Sequence, residues 1–172
     1  QHTEDIRVTV TTDLTPEPPY EGETKVRHYL EVLRDEIGWD AVKAAVVKPL
    51  TGRKIGAYYG CMLLRPSREM QFDDPENPKM LEDFIRAIGA EPVLYAQRNE
   101  CCGGYMAVEN RSYAAKQAQK IMDNAKAQGA ELLITACPLC SYNLLHNTDG
   151  ALPVVYFTEL LAEALGCGEE DA

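Results

Sequence analysis

The chain has no long apolar run. Nowhere do eighteen consecutive apolar residues occur, so no segment reads as a membrane-spanning helix. Positive charge is scarce as well: 17 Lys and Arg stand against 27 Asp and Glu, a formal charge of −10, with no basic block. Nucleic-acid binding draws on clustered Lys and Arg and is not expected here. The opening stretch QHTEDIRVTV lacks a charged n-region and an apolar h-region, so it does not read as a secretion signal, and a cytoplasmic protein is expected. It also lacks an initiator methionine, as expected of a fragment or a trimmed chain. No Ser-His-Asp set, phosphate-cradling glycine loop or paired-carboxylate motif occurs, which leaves the commonest hydrolytic and nucleotide chemistries without a signature.

What is present is enough apolar residue, 45% of 172, to fill one domain core. Residues 1–14 alternate ambiguously between a strand and a helix face, and 15–24, TPEPPYEGET, read as a loop. Val26, Tyr29, Leu30, Leu33 and Ile37 share one helix face, which Gly38 terminates, and WDAVKAAVV offers a second helical piece. From residue 54 strands and helices alternate. KIGAYYG, EPVLYA, ELLITA and PVVYF read as strands. Between them lie a helix over NPKMLEDFIRAIG with Asn77 as cap, Pro78 first and an apolar face of Leu81, Phe84, Ile85 and Ile88; an alanine-rich helix over 109–128; and a short helix from Pro138. A last helix follows with Thr158 as cap. The pattern predicts an α/β fold: an open, mostly parallel four-stranded sheet with helices on both faces.

Six cysteines are present, and five of them, Cys61, Cys101, Cys102, Cys137 and Cys140, fall just after predicted strands. Loops after parallel strands gather at one sheet edge, so these five are expected to converge at the C-terminal edge of the strands. Zinc takes four ligands, commonly two C-x-x-C pairs; here one such pair, one adjacent pair and one single cysteine leave a thiol over. Disulfides would strand an odd cysteine or recruit Cys167. A redox dithiol at Cys137-Pro138-Leu139-Cys140 accounts for no other cysteine. A four-cysteine iron–sulfur cluster leaves one spare, whereas a larger or open cluster can employ all five, with Cys101 and Cys102 on different irons or one of them bridging two.

The set Cys61, Cys101-Cys102-Gly103 and Cys137-Pro138-Leu139-Cys140 closely resembles the cysteine-rich CCG domain. YYGCMLLRP, CCGG, TACPLCSYNL and VRHYLEVL resemble the B subunit of CoB–CoM heterodisulfide reductases and its bacterial relatives, over roughly residues 25–166. The resemblance implies a non-cubane 4Fe–4S cluster held by Cys61, Cys101, Cys102, Cys137 and Cys140, and reduction of a disulfide substrate. Electrons would come from flavin-containing and ferredoxin-like iron–sulfur subunits of a complex. The family's polypeptide carries two CCG copies and this chain one, so a first copy is expected before residue 1, or the chain is a one-copy relative. The division is then an N-terminal arm and linker, 1–24, and a CCG domain, 25–172. The alternatives are an electron-transfer or docking module without its own substrate, and a zinc-stabilised structural domain.

Outside the cysteines, Arg65 reads equally as a group steering an anionic substrate or stabilising cluster charge and as a solvated loop arginine. His28 reads as a structural histidine, His146 as exposed near a helix end, and Tyr58 and Tyr59 as packed on opposite sheet faces.

Overall fold

A computed structural model describes residues 23–167. The expected strand-or-helix stretch over 1–14, most of the 15–24 linker and the last five residues lie outside the described residues.

Four strands form one sheet: β1 (Lys54–Tyr58), β2 (Glu91–Val93), β3 (Leu132–Thr135) and β4 (Val154–Tyr156), in the order β2-β1-β3-β4. Every pairing is parallel, with Gly56 opposite Val93 and Leu133, and Ile134 opposite Val155. The helices are α1 (Tyr29–Val32), α2 (Trp39–Ala45), α3 (Ser67–Met70), α4 (Met80–Ala87), α5 (Arg111–Ala127), α6 (Pro138–His146) and α7 (Phe157–Ala164).

A parallel sheet covered on both faces needs strands apolar on both sides, and β1 and β3 are. Ile55, Ala57, Leu132 and Ile134 face a core with Leu30, Leu33, Val42, Leu81, Phe84, Ile85, Phe157 and Leu160, so α1, α2, α4 and α7 cover that side. Tyr58 and Leu133 face a second core with Ala118, Ile121, Met122, Ala125 and Leu144, where α5 and α6 lie. Tyr58 and Tyr59 are both fully buried, one in each core, as the alternation predicts. Small residues on α5, Ala114, Ala118 and Ala125, let that helix sit close to the sheet.

Several local readings are corrected. The helix expected over Val26–Ile37 begins only at Tyr29, and from Leu33 to Ile37 it widens into a π-helix closed by the Gly38 N–H on the Leu33 carbonyl at 2.8 Å. The wider turn rotates Ile37 out to 47% exposure, and Val26, before the helix, is 84% exposed. Asn77 and Pro78 do not open α4. Asp73 reaches forward instead, and its Oδ2 accepts the N–H groups of Lys79 and Met80 at 2.7 Å each. Thr158 caps nothing, because Phe157 already belongs to α7 and Glu159 accepts the Tyr156 N–H at 2.7 Å. Among the described residues no helix is long and apolar enough to cross a membrane.

His28 is structural, as expected. It is the N-cap of α1, where Nδ1 accepts the Leu30 N–H at 3.2 Å, and its ring packs edge-on against Phe72. Burial lowers its pKa from 6.5, with the Ala136 carbonyl pulling the other way. The unfolded chain therefore takes up this proton first, and the associated stability is lost as pH falls through and below 6.5. Denaturant titrations at about pH 7.5 and about pH 5.5 should show lower stability at the acid value, and His28→Asn, which keeps a cap acceptor, should flatten that difference.

Candidate metal centre

Because all strands run the same way, the loops leaving β1, β2 and β3 open at one edge, and these loops carry the five cysteines. Cys61 opens a turn after β1, in which its carbonyl accepts the Leu64 and Arg65 N–H groups. Cys101 and Cys102 follow a 3-10 turn, Ala96–Asn99, and precede another, Gly104–Met106. Cys137 ends the β3 loop, its N–H on the Thr135 hydroxyl at 3.3 Å, and is the N-cap of α6; Cys140 stands in that helix's first turn.

The sulfurs meet in pairs. Cys61 and Cys101 Sγ lie 3.8 Å apart, and Cys102 and Cys140 Sγ 3.6 Å apart. Cys137 joins through a hydrogen bond with Cys140. The two neighbours Cys101 and Cys102 thus face different partners, and they differ in exposure: Cys101 is exposed, Cys102 buried. Two thiolates on one tetrahedral metal, each about 2.3 Å from it, sit about 3.8 Å apart, so each pair has the spacing of two ligands on one metal. Among the described residues, no three Cys, His, Asp or Glu side chains form a set around a single ion. Soft sulfur donors spread as two pairs suit a group of several metals better than one tetrahedral zinc.

The surroundings favour negative sulfur at Cys102 and Cys137 and oppose it at Cys61 and Cys140. The Gly103 and Gly104 N–H groups donate to Cys101 and Cys102 Sγ, both at 3.3 Å. The hydrogen bond with Cys140 brings Cys102 down to about 6 against the opposing effect of burial, with help from the Gly104 N–H and Asn143. Cys137 also comes down to about 6, first through Cys140, then through the N–H groups of Cys140 and Leu139 at the start of α6. Cys140, hydrogen-bonded with both and buried, is pushed up. Burial and the neighbouring Cys101 raise Cys61 to about 11.

Several supporting residues carry no motif. Asn143, 1% exposed, donates from Nδ2 to the Cys102 carbonyl at 2.7 Å, and Tyr58 Oη donates to the Glu100 carbonyl at 2.8 Å. Gly60 has φ +67°, and a Cβ there would lie 2.7 Å from Cys140 Sγ, so only glycine leaves that sulfur its place. Asn143 stands in the TACPLCSYNL stretch, yet nothing in its spacing distinguishes it from a solvated helix residue. Arg65 is more than a solvated loop arginine. Its guanidinium clasps the carbonyls of Asn99 at 3.0 Å and Pro75 at 3.2 Å and the Glu76 carboxylate at 3.0 Å. His146 is exposed at the end of α6, its ring tilted against that of Tyr142, and Cys167 is exposed, with no sulfur contact to the five.

Comparison with known proteins places these features in a wider set. The family model described as "Cysteine-rich domain", CCG, matches residues 55–145. The 8-methylmenaquinol:fumarate reductase membrane anchor subunit of Wolinella succinogenes is 31% identical over 156 residues, 86% of this chain and 54% of that protein. The B subunit of the ferredoxin/F(420)H(2)-dependent CoB-CoM heterodisulfide reductase of Methanosarcina acetivorans is 30% identical over 165 residues, 88% and 54% of the two chains. The B subunit of the ferredoxin:CoB-CoM heterodisulfide reductase of Methanosarcina mazei is 30% identical over 159 residues, 86% and 52%. The chain spans about half the length of the curated relatives it matches.

Gly60→Ala should displace Cys140 and strain the turn, lowering unfolding free energy by about 1–3 kcal/mol in a denaturant titration. Asn143→Leu should cost about 1–3 kcal/mol by leaving the Cys102 carbonyl buried without a donor.

Proposed function

Because the chain belongs to the cysteine-rich CCG domain family, we propose that it is the iron–sulfur part of a heterodisulfide-reductase-like complex in which a disulfide substrate is reduced at a non-cubane 4Fe–4S cluster. The observation that carries this is the division of the thiols into a Cys61–Cys101 pair and a Cys102–Cys140 pair joined by Cys137. Cys61, Cys101, Cys102, Cys137 and Cys140 are the ligands in this proposal.

When bound, the cluster supplies electrons beside the substrate sulfurs. The chain's own residues prepare the place. Gly103 and Gly104 present N–H donors to sulfur, which stabilise its negative charge. Asn143 and Tyr58 fix the backbone on either side of Cys101. Exposed Cys101 marks the side from which a disulfide arrives. Flavin-containing and ferredoxin-like iron–sulfur subunits would deliver the electrons, so activity is expected only within the complex. A cytoplasmic location belongs to the same proposal, since all five thiols must stay reduced, as a reducing compartment keeps them.

A second reading is favoured by the relative named as a fumarate reductase subunit: an electron-transferring module with no disulfide of its own. The zinc-stabilised domain has less support, for the paired spacing described above.

Protein purified without oxygen should contain iron and acid-labile sulfide in comparable amounts and absorb visible light that bleaches on reduction. Cys102→Ala should lose this chromophore, and a variant that kept full iron would remove Cys102 from the ligands. Zinc without sulfide would end the redox proposal. Disulfide turnover by the assembled complex separates the first reading from the second.

A further inference from the structure

Glu82 lies on α4 between Leu81 and Asp83 and is only 1% exposed. A buried carboxylate is unfavourable unless other groups meet its charge and lone pairs. Here the groups around it come from both loops that carry the Cys61–Cys101 pair, a hydrogen bond meeting Oε2 and an ionic contact without a hydrogen bond meeting Oε1. The Tyr59 hydroxyl, just before Cys61, donates to Oε2. Arg98, just before Cys101, places Nε 3.2 Å from Oε1, an ionic contact between side chains 14% and 2% exposed.

The two partners are also tied to each other and to the helix. The Tyr59 N–H donates to the Arg98 carbonyl at 2.8 Å, and the Leu81 N–H donates to Tyr59 Oη at 2.8 Å. Arg98 reaches on to Asn77 Oδ1 at 2.8 Å, and Asn99 Nδ2 to the Pro75 carbonyl at 2.8 Å. None of these contacts involves the arm from β3 into α6, which carries Cys137 and Cys140.

We propose that Glu82 is a positioning residue: its carboxylate brackets the Cys61 loop to the Cys101–Cys102 loop through Tyr59 and Arg98, and so sets the separation of the Cys61 and Cys101 sulfurs. The proposal rests on the functional reading above, in which those sulfurs are a ligand pair. A hydrophobic residue of similar size would fill the space, but it would leave the two loops without a common anchor. Proximity of the two sulfurs is measurable without any metal.

The test oxidises the metal-free chain with diamide, which takes two electrons and two protons from a pair of thiols as their disulfide forms. Peptide mass mapping follows the Cys61–Cys101 disulfide, with the Cys137–Cys140 disulfide as internal reference. Glu82→Gln, nearly isosteric, should slow Cys61–Cys101 coupling about tenfold relative to the reference. Tyr59→Phe, which removes only the hydroxyl, should shift the ratio in the same direction. Circular dichroism checks the fold, and if Glu82→Gln does not fold, Tyr59→Phe decides alone. An unchanged ratio in the folded variants overturns the proposal, as does equal slowing of both disulfides, which marks general loosening. Wild-type protein that takes up neither iron nor sulfide on anaerobic reconstitution sinks the functional reading and leaves the ratio test standing.

Discussion

The middle strand β1 pairs in parallel register with β2 on one side and β3 on the other, and the loops that leave these three strands carry every cysteine of the site. Parallel pairing is what makes distant residues neighbours. An antiparallel partner would send its following loop to the opposite edge, and Cys61 and Cys101 would be separated by the sheet. The register depends in turn on burial of both faces, since a one-residue slip of β1 would exchange Ile55 and Ala57 with Gly56 and Tyr58 between the two cores. Gly56 leaves no tolerance for this, because even a methyl there would lie 2.6 Å from Leu133 Cδ2. Core packing and site geometry are therefore one constraint.

Above that frame the site is built in two styles. The Cys137–Cys140 arm is local: it is the start of one helix on the end of one strand, and its geometry follows from α6 itself. The Cys61 and Cys101–Cys102 arms are irregular backbone, and irregular backbone has to be tied down by side chains. Tyr58, Arg65, Arg98 and Asn143 each donate to a backbone carbonyl in or next to these arms. Most of the side-chain hydrogen bonding around the centre lies on the two arms that have no helix to hold them.

The frame was legible in the sequence because strands apolar on both faces appear as short apolar runs between turn signals, and because helix faces such as Leu81, Phe84, Ile85 and Ile88 recur at helical spacing. The convergence of the cysteine loops followed from strand direction alone. The cap of α4 was not legible because its acceptor lies along a folded-back loop, where Asp73 reaches the helix and no local motif marks it. The π-helix at Leu33–Ile37 replaced an ordinary α-helical turn that the apolar spacing suits equally well. Glu82 was hidden for the opposite reason, since a glutamate beside an apolar stripe reads as solvent-facing until Tyr59 and Arg98 are seen to enclose it. Which cysteine meets which was not legible at all, because it depends on left-handed and 3-10 turns whose course is set by packing.

The opposite environments of Cys101 and Cys102 give the centre an inner and an outer wall formed by consecutive residues. Solvent touches the Cys101 side of this pair and is kept from the Cys102 side. A thiol-reactive reagent in solvent therefore meets the Cys101 sulfur before that of Cys102.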